Sequence, residues 1–388
     1  MKNSFIYLDN AATSFPKPKK VIKETLNCLQ NYGGNAGRSS HNLSLLASKK
    51  LNECRELVCT LVNAKSSENV VFVPSCTYGL NLIIKGILKQ GDHVIISDME
   101  HNSVYRPIYK MASEGIITYE IFSALSTPNQ SEETLIYNIE SKIKKNTRLL
   151  ICNHQSNITS YSLPITKIGE LCKKYHILFA LDVAQSIGHY NIDVQKSHIN
   201  YLSAPGHKGL YGVQGSAFVV VNSPHLLETL VEGGNGIYSL DPQMPSFLPE
   251  RYEVGTLPMP AIAGLSEGIK ETNNYGVEYI SQYEKFLFSY LRDGLLNIKN
   301  TNVYLPNFSG STLSFTIDSI PNEKICDALN QEKIYLRSGF HCSALAHSSL
   351  KTNNSGTVRA SFGIFNTKSE VDRLLFVCNK IIASNIMK

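Results

Sequence analysis

The amino-acid sequence predicts an α/β protein built on a mainly parallel β-sheet with helices on both faces. Stretches with helical periodicity separate several short apolar runs, at 69–73, 93–97, 148–153, 177–181 and 217–221. Nearly continuous apolar strands are typical of parallel sheets, because the helical connections bury both faces. After about residue 260 the pattern changes to a long helical stretch, alternating strands and a final helix from Lys368. This second pattern predicts a smaller α+β domain.

The size and composition of the chain agree with two domains. At 388 residues, the chain is longer than one small hydrophobic core supports. We expect a large domain over 16–256 and a small domain over 257–388, with the N-terminal segment 1–15 joined to the small one. A hydrophobic content of 43% and a charged content of 18% are typical of globular proteins.

Charge and hydropathy argue against nucleic-acid and membrane partners. The net charge is +5, and basic residues are scattered apart from a cluster at 17–20, with no basic stripe interleaved with aromatic residues. No apolar stretch approaches membrane-spanning length. The first residues lack the apolar run of a signal peptide, so we expect a cytoplasmic protein.

The nine cysteines do not form a pattern typical of disulfides or metal sites. Their number is odd, their spacing is wide, and no Cys-x-x-Cys pair occurs, so neither a disulfide framework nor a zinc site is expected. Cys342 differs from the others because its neighbours are polar and glycine-rich. We interpret Cys342 as an accessible nucleophile, with His341 and His347 as possible promoters of its thiolate. The alternative is a buried structural cysteine.

Asp182 ends one predicted strand, with Gln185 just after it, and Lys208 follows another. Together these residues suit pyridoxal 5′-phosphate. Asp182 could pair with its protonated ring nitrogen, while Gln185 could contact its phenolate oxygen. Lys208 lies between His207 and a glycine and could react with the aldehyde once its amine is neutral. Taken alone, Asp182 is more simply interpreted as a strand-end aspartate that caps the next turn, and Lys208 as a surface lysine in a turn. Because ligands bind at the carboxyl ends of parallel strands, we give the joint pattern more weight.

Further candidates follow the other strands. Cys76 and Thr77 open a predicted helix, whose amides could bind phosphate, although an ordinary helix cap fits equally well. His101 could stack on a flat ring. Asn157 could hold the ring oxygen or a substrate carboxylate, or could simply form an Asx-turn. Arg359 could bind a substrate carboxylate through two parallel hydrogen bonds.

In this order, the motifs resemble the class V aminotransferases, pyridoxal phosphate enzymes of fold type I, and among them the cysteine desulfurases and selenocysteine lyases. The motifs are Tyr7-Leu8-Asp9-Asn10-Ala11-Ala12-Thr13, Glu100-His101, His154-Gln155-Ser156-Asn157, Asp182-Val183-Ala184-Gln185, Gly206-His207-Lys208, Tyr252-Glu253-Val254-Gly255-Thr256, Arg337-Ser338-Gly339-Phe340-His341-Cys342 and Arg359-Ala360-Ser361-Phe362. The resemblance implies a mostly parallel seven-stranded sheet and a homodimer. The short interval between Cys342 and Arg359 is similar to the branch with a compact catalytic loop.

The resemblance also implies roles for individual residues. The catalytic residues that it implies are Lys208, Cys342 and His101: Lys208 binds the cofactor covalently, Cys342 attacks the substrate sulfur, and His101 stacks on the ring. The other cofactor contacts are Cys76, Thr77, His101, Asn157, Asp182, Gln185, His207 and Thr256. Of these, Thr256 reaches the cofactor across a dimer interface. Arg359, together with Asn157, binds the substrate carboxylate.

The function implied is removal of sulfur from L-cysteine, which gives L-alanine and a persulfide on Cys342. An acceptor protein or a thiol then takes the sulfur. Alternatives on the same scaffold are a selenocysteine lyase and an aminotransferase, and a further alternative is a pyridoxal phosphate-binding scaffold without turnover. Several positions depart from the family pattern, at Tyr78, Ser160, Pro205 and Pro258. Pro205 replaces a common phosphate-binding hydroxyl, for which Ser203 is a candidate substitute, and Ser160 replaces a common glycine.

Overall fold

The computed structural model describes residues 5–37 and 40–386. The strands are β1 (Ile6–Tyr7), β2 (Val70–Val73), β3 (His93–Ser97), β4 (Thr118–Phe122), β5 (Thr147–Asn153), β6 (Leu178–Asp182), β7 (Tyr201–Pro205), β8 (Ala217–Val221), β9 (Thr301–Val303), β10 (Thr312–Ile317), β11 (Ile334–Tyr335), β12 (Arg337–Gly339) and β13 (Thr357–Ser361). The helices are α1 (Lys19–Asn31), α2 (Asn42–Leu61), α3 (Cys76–Ile87), α4 (Asn102–Ser113), α5 (Glu132–Glu140), α6 (Ile165–Lys174), α7 (Met259–Tyr275), α8 (Val277–Leu296), α9 (Asn322–Gln331), α10 (Ala344–Ser349) and α11 (Lys368–Ile386). A short 3₁₀ helix covers Ser67–Asn69.

The large sheet has seven strands in the order β2-β8-β7-β6-β5-β3-β4. All neighbouring strands are parallel except β8, which runs antiparallel to both β2 and β7. The connection from β7 to β8, residues 206–216, contains no helix. A parallel return needs a longer crossover connection, so this short segment reverses the strand. The predicted α/β class with a mostly parallel seven-stranded sheet is confirmed.

Hydrophobic cores cover both faces of this sheet. Along β5, Leu150 and Cys152 belong to one buried cluster, while Leu149 and Ile151 belong to another. Successive side chains of a strand point to opposite faces, so this alternation means that each face has its own core. Such burial explains why the strands consist of continuous apolar runs.

A second, four-stranded antiparallel sheet has the order β12-β13-β10-β9. A third hydrophobic cluster joins this sheet to α8 and α11, through residues such as Phe315, Leu287 and Leu374. Strand β1 pairs in parallel with β11, and Leu8 is buried in the same cluster. The N-terminal segment therefore packs with the C-terminal part of the chain. The boundary at residue 256 stays a prediction.

The N-terminal segment also reaches the large sheet. Asp9 forms an isolated bridge with Ser361 of β13. A few residues later, the backbone N–H of Ser14 donates to the carbonyl of His207, 3.1 Å away. The segment thus links β13 to the turn that follows β7. Within the described ranges, none of the helices combines the length and the apolar character needed to cross a membrane.

Candidate active site

A cavity lies at the carboxyl ends of β5, β6 and β7, beside the first turns of α3 and α4. It is lined by Ser75, Cys76, Thr77, His101, Ser103, Asn153, Gln155, Asn157, Asp182, Ala184, Gln185, Pro205, His207 and Lys208. The sequence predicted that polar residues after separate strands would meet at this edge of the sheet. The structure brings most of the predicted cofactor-binding residues together here.

Asp182 is a buried carboxylate at the base of the cavity. Its Oδ1 accepts a hydrogen bond from the N–H of Ala184 at 2.8 Å and lies 3.7 Å from the Cys76 thiol. Burial raises the pKa of Asp182, and nearby Lys208 partly opposes this rise. Among the described residues, none donates a hydrogen bond to its Oδ2. A buried carboxylate in this state favours a ligand that brings a positive charge.

Lys208 lies in the turn after β7. Burial lowers the pKa of its amine, although the charge of Asp182 acts in the opposite direction. A lowered pKa increases the neutral fraction, which an amine needs in order to react with a carbonyl. The turn is tightly packed: a Cβ added at Gly209 would lie 2.2 Å from the carbonyl oxygen of Ile187. Glycine therefore lets the Lys208 turn approach its neighbours closely.

The first turn of α3 faces the cavity, and its backbone N–H groups can bind an anion there. Ser75 caps the helix by accepting a hydrogen bond from the N–H of Tyr78 at 3.2 Å. The first N–H groups of a helix have no intrahelical partner and are good donors to phosphate. Cys76 and Thr77, the first two residues of the helix, both line the cavity.

His101 caps the neighbouring helix α4 and lines the same cavity. Its Nδ1 accepts a hydrogen bond from the N–H of Ser103 at 3.1 Å. The Ser103 hydroxyl lies 2.7 Å from that of Thr77, so a polar chain connects the two helix starts. Burial and the nearby charge of Lys208 lower the pKa of His101 to about 4. The ring is therefore neutral near pH 7.

Two predicted cofactor contacts also hold the N-terminal segment. The Nε2 of Gln185 donates to the carbonyl of Ala11 at 3.1 Å. The Nδ1 of His207 lies 3.1 Å from the hydroxyl of Thr13. Burial lowers the pKa of His207 to about 4, so this ring is neutral near pH 7. Both side chains line the cavity, although no sequence pattern indicated their contacts with residues 11 and 13.

Two predicted hydroxyl groups are absent from the cavity wall. Thr256 is exposed and lies outside the set of lining residues within one chain. Ser203 is fully buried behind α3, where its hydroxyl donates to the carbonyl of Cys76 at 3.3 Å. Ser203 therefore does not supply the hydroxyl missing at Pro205, because its side chain packs under the helix.

Cys342 is exposed on a turn beside the cavity. All nine cysteines are within the described residues, and Cys342 is the exposed one among them. Its carbonyl accepts a hydrogen bond of 2.7 Å from the N–H of Asn102, the residue after His101. The turn is thus attached to the start of α4, next to a residue that lines the cavity. Its accessibility agrees with the predicted nucleophile.

The two histidines near Cys342 support the loop. The Nε2 of His341 lies 3.2 Å from the carbonyl oxygen of Thr357, and the Nδ1 of His347 lies 2.7 Å from the hydroxyl of Thr352. Burial lowers the pKa of both rings, that of His341 to about 2. Neutral rings do not attract a thiolate by charge, so these contacts do not support the role of thiolate promoters.

Arg359 is buried next to the cavity. Its Nη2 donates to Asp9 at 2.8 Å, and its Nη1 donates to the backbone carbonyl of Asn157 at 3.1 Å. Its Nε is buried and has no hydrogen-bond partner among the described residues. The sequence indicated that Arg359 binds a carboxylate, but did not identify Asp9 as the carboxylate already beside it.

Glu100 is a buried acid that belongs to a predicted motif but had no predicted role. Its Oε1 accepts a hydrogen bond from the N–H of Asn153 at 3.0 Å and another from the hydroxyl of Ser97. Burial raises the pKa of Glu100 to about 8. A carboxyl directly before His101, shortly after a buried strand, was the available signal. Its hydrogen bonds hold the loop that positions His101.

Comparisons with known proteins agree with this geometry. The profile of the family described as aminotransferase class-V matches residues 6–374. A probable cysteine desulfurase of Pyrococcus abyssi is 30% identical over 98% of this chain and 94% of its own length. A probable cysteine desulfurase of Borreliella burgdorferi is 30% identical over 97% of this chain and 92% of its own length. The apo structure of a cysteine desulfurase from Thermococcus onnurineus NA1 superposes with a TM-score of 0.91 and 29% identity, covering 98% of this chain and 96% of that one.

Proposed function

Because the chain belongs to the aminotransferase class-V family, we propose that it is a pyridoxal phosphate-dependent cysteine desulfurase. It would convert L-cysteine to L-alanine, keep the sulfur on Cys342 as a persulfide, and pass it to a thiol or an acceptor protein. One observation carries the proposal: the exposed residue Cys342 is bonded through its carbonyl to Asn102, directly beside a cavity that contains both Lys208 and Asp182.

The residues of the cavity fit the cofactor. Asp182 has an oxygen left for the protonated ring nitrogen, and the first turn of α3, with Cys76 and Thr77, suits the phosphate. His101, as a neutral ring, suits stacking, and Lys208 is the amine for the aldehyde. When bound, pyridoxal phosphate withdraws electrons from the amino-acid carbon next to it.

The protein residues would then divide the reaction between them. Lys208, with its lowered pKa, accepts the α-proton of the substrate as a general base. The Cys342 thiolate attacks the substrate sulfur, so an S–S bond forms as the C–S bond breaks. The electron pair of the C–S bond stays on the carbon skeleton, which takes up a proton and leaves as alanine. Arg359 holds the substrate carboxylate throughout.

A second copy of the chain would complete the site. Thr256 is exposed in one chain, so its expected cofactor contact requires a partner subunit. Helix α1 also carries the exposed apolar side chains Ile22, Leu26 and Leu29, which a homodimer could bury. The nine cysteines are all unpaired, which suits a reducing compartment such as the cytoplasm.

The proposal is tested by incubating the protein with pyridoxal phosphate, L-cysteine and a reductant, and by measuring alanine and sulfide. We expect equal amounts of both products from the wild type. Lys208→Ala should lose the yellow cofactor absorbance and all turnover. Cys342→Ala should bind the cofactor and yield neither product.

Other results would indicate another reaction. Alanine release from selenocysteine that survives Cys342→Ala would indicate a selenocysteine lyase. Conversion of a keto acid without sulfide would indicate an aminotransferase. Protein that binds the cofactor yet turns over none of these substrates would be a scaffold.

A further inference from the structure

The turn that carries Cys342 has a strained backbone. His341 has a φ of 48° and Cys342 a φ of 58°, so two consecutive residues other than glycine lie in the left-handed region. Side chains with a Cβ disfavour this region, and two such residues in a row persist only where surrounding contacts hold them. The nucleophile therefore depends on outside support for its conformation.

One side chain that supplies such support on both sides of Cys342 is the amide of Asn157. Its Nδ2 donates to the carbonyl of His341 at 2.8 Å. Its Oδ1 accepts a hydrogen bond from the hydroxyl of Ser343 at 2.6 Å. The amide is thus bonded to the residues directly before and after Cys342. Asn157, His341 and Ser343 are all buried, so water does not readily replace these bonds.

Asn157 also belongs to the wall of the cavity. Its backbone carbonyl accepts from Arg359, and its side chain lines the cofactor cavity. An amide nitrogen carries two hydrogens, and the loop uses one of them. The second is available for an acceptor in the cavity, such as a carboxylate or a phenolate oxygen. Asn157 can therefore contact a ligand and hold the Cys342 turn at the same time.

We propose that Asn157 and Ser343 form a latch that positions the Cys342 thiol for sulfur transfer. This inference rests on the proposed function for its catalytic consequence, and it assigns Ser343 a role that follows from its bond to Asn157. Ser343 is a positioning residue, because it acts through the conformation of its neighbour. The hydrogen bond from Asn102 to the Cys342 carbonyl is a backbone contact and supports the same turn.

The experiment compares Ser343→Ala with the wild type, both loaded with pyridoxal phosphate. The substitution removes the donor to Asn157 and leaves the cavity wall intact. We expect kcat for alanine formation to fall about tenfold with KM for L-cysteine unchanged, since small displacements of a reacting group slow chemistry strongly. Amide hydrogen exchange over residues 340–344 should be at least about tenfold faster, since the buried bond no longer holds the turn.

Ser349→Ala is the matched control. Its hydroxyl donates to Asp98 at 3.0 Å in the same region of the chain, away from Asn157. The control should show wild-type kcat and wild-type exchange over residues 340–344. Exchange in Ser343→Ala equal to that of Ser349→Ala would overturn the latch, as would an unchanged kcat. Wild-type protein that forms no alanine would contradict the proposed function, while the exchange comparison would still decide whether the latch exists.

Discussion

Two buried arginines, Arg55 and Arg359, pair with carboxylates in different ways. Arg55 donates to both oxygens of Glu253, from Nη1 at 2.7 Å and from Nη2 at 2.9 Å. The two side chains are 7% and 9% exposed. Glu253 also accepts from the N–H of Phe72 at 2.7 Å. Arg359, 2% exposed, has one bond to Asp9, whose side chain is 20% exposed. Its Nε has no hydrogen-bond partner in the described part of the chain.

The difference separates a structural pair from a binding group. Arg55 and Glu253 satisfy each other and fix the segment after β8 to β2, so a ligand would gain nothing by replacing Glu253. Arg359 holds Asp9 by one nitrogen only and keeps unused donor capacity. A substrate carboxylate that binds with two parallel bonds would improve on this arrangement. The contrast explains why Arg359, and not Arg55, suits a reversible ligand.

The largest expected effect is a loss of stability when the Arg55–Glu253 pair is broken. Arg55→Met should lower the free energy of unfolding by about 3–5 kcal/mol, because it leaves Glu253 as a buried charge without its partner. Urea unfolding followed by circular dichroism measures this loss. Lys110→Met, which breaks the exposed pair with Glu114, serves as a control and should change little. Equal losses in both variants would contradict the distinction.

The next effect concerns Arg359, which is paired with Asp9. Arg359→Lys keeps the charge but loses the planar fork, so kcat/KM for L-cysteine should fall about 100-fold, mainly through KM. Steady-state alanine formation measures both constants. A variant with wild-type KM would show that the substrate carboxylate binds elsewhere.

A third prediction concerns Glu100, a buried acid that, unlike Glu253, has no arginine partner among the described residues. Its folded-state pKa of about 8 lies above the ordinary 4.5, so its stabilising contribution is complete below pH 4.5 and is lost as the pH rises towards 8. Glu100→Gln removes this titration. The decline in stability between pH 6 and pH 9 should therefore be about 2 kcal/mol smaller in the variant. Parallel stability curves for both proteins would contradict the raised pKa.

The smallest expected effect concerns the competition between Asp9 and the substrate for Arg359. Asp9→Asn removes the carboxylate that competes with substrate, so KM for L-cysteine should fall by about threefold. The melting temperature should also fall, because Arg359 then lacks its charged partner in the free protein. Calorimetry and steady-state kinetics measure the two changes. A rise in KM would mean that Asp9 orients Arg359 for the substrate.

Much of the fold could be predicted from the sequence, because strands buried on both faces of a sheet consist of continuous apolar runs. Apolar runs such as 93–97 and 177–181 correspond closely to β3 and β6. The antiparallel direction of β8 was not predicted, since an apolar run has the same pattern in either strand direction.

Ser160, which replaces a common glycine, has a φ of 59° and bonds to both N and O of Thr312 through its hydroxyl. Those bonds explain how serine is tolerated there.

The candidate site was predictable where motifs follow strands, as for Asp182, Lys208 and His101, and the predicted family is confirmed. Contacts between distant segments were not. The pair of Arg359 with Asp9 joins residues 350 positions apart, and no local pattern encodes such a contact. For the same reason, sequence suggested a ligand contact for Asn157 but gave no hint of its bonds to the Cys342 turn.

The most direct test of sulfur transfer is mass spectrometry of peptides after a single turnover with L-cysteine and no reductant. The proposed chemistry predicts that the Cys342 peptide gains the mass of one sulfur atom for each alanine released. Peptides that contain the other cysteines should stay unmodified. Alanine released with the sulfur on another cysteine, or with no sulfur retained on Cys342, would contradict the account.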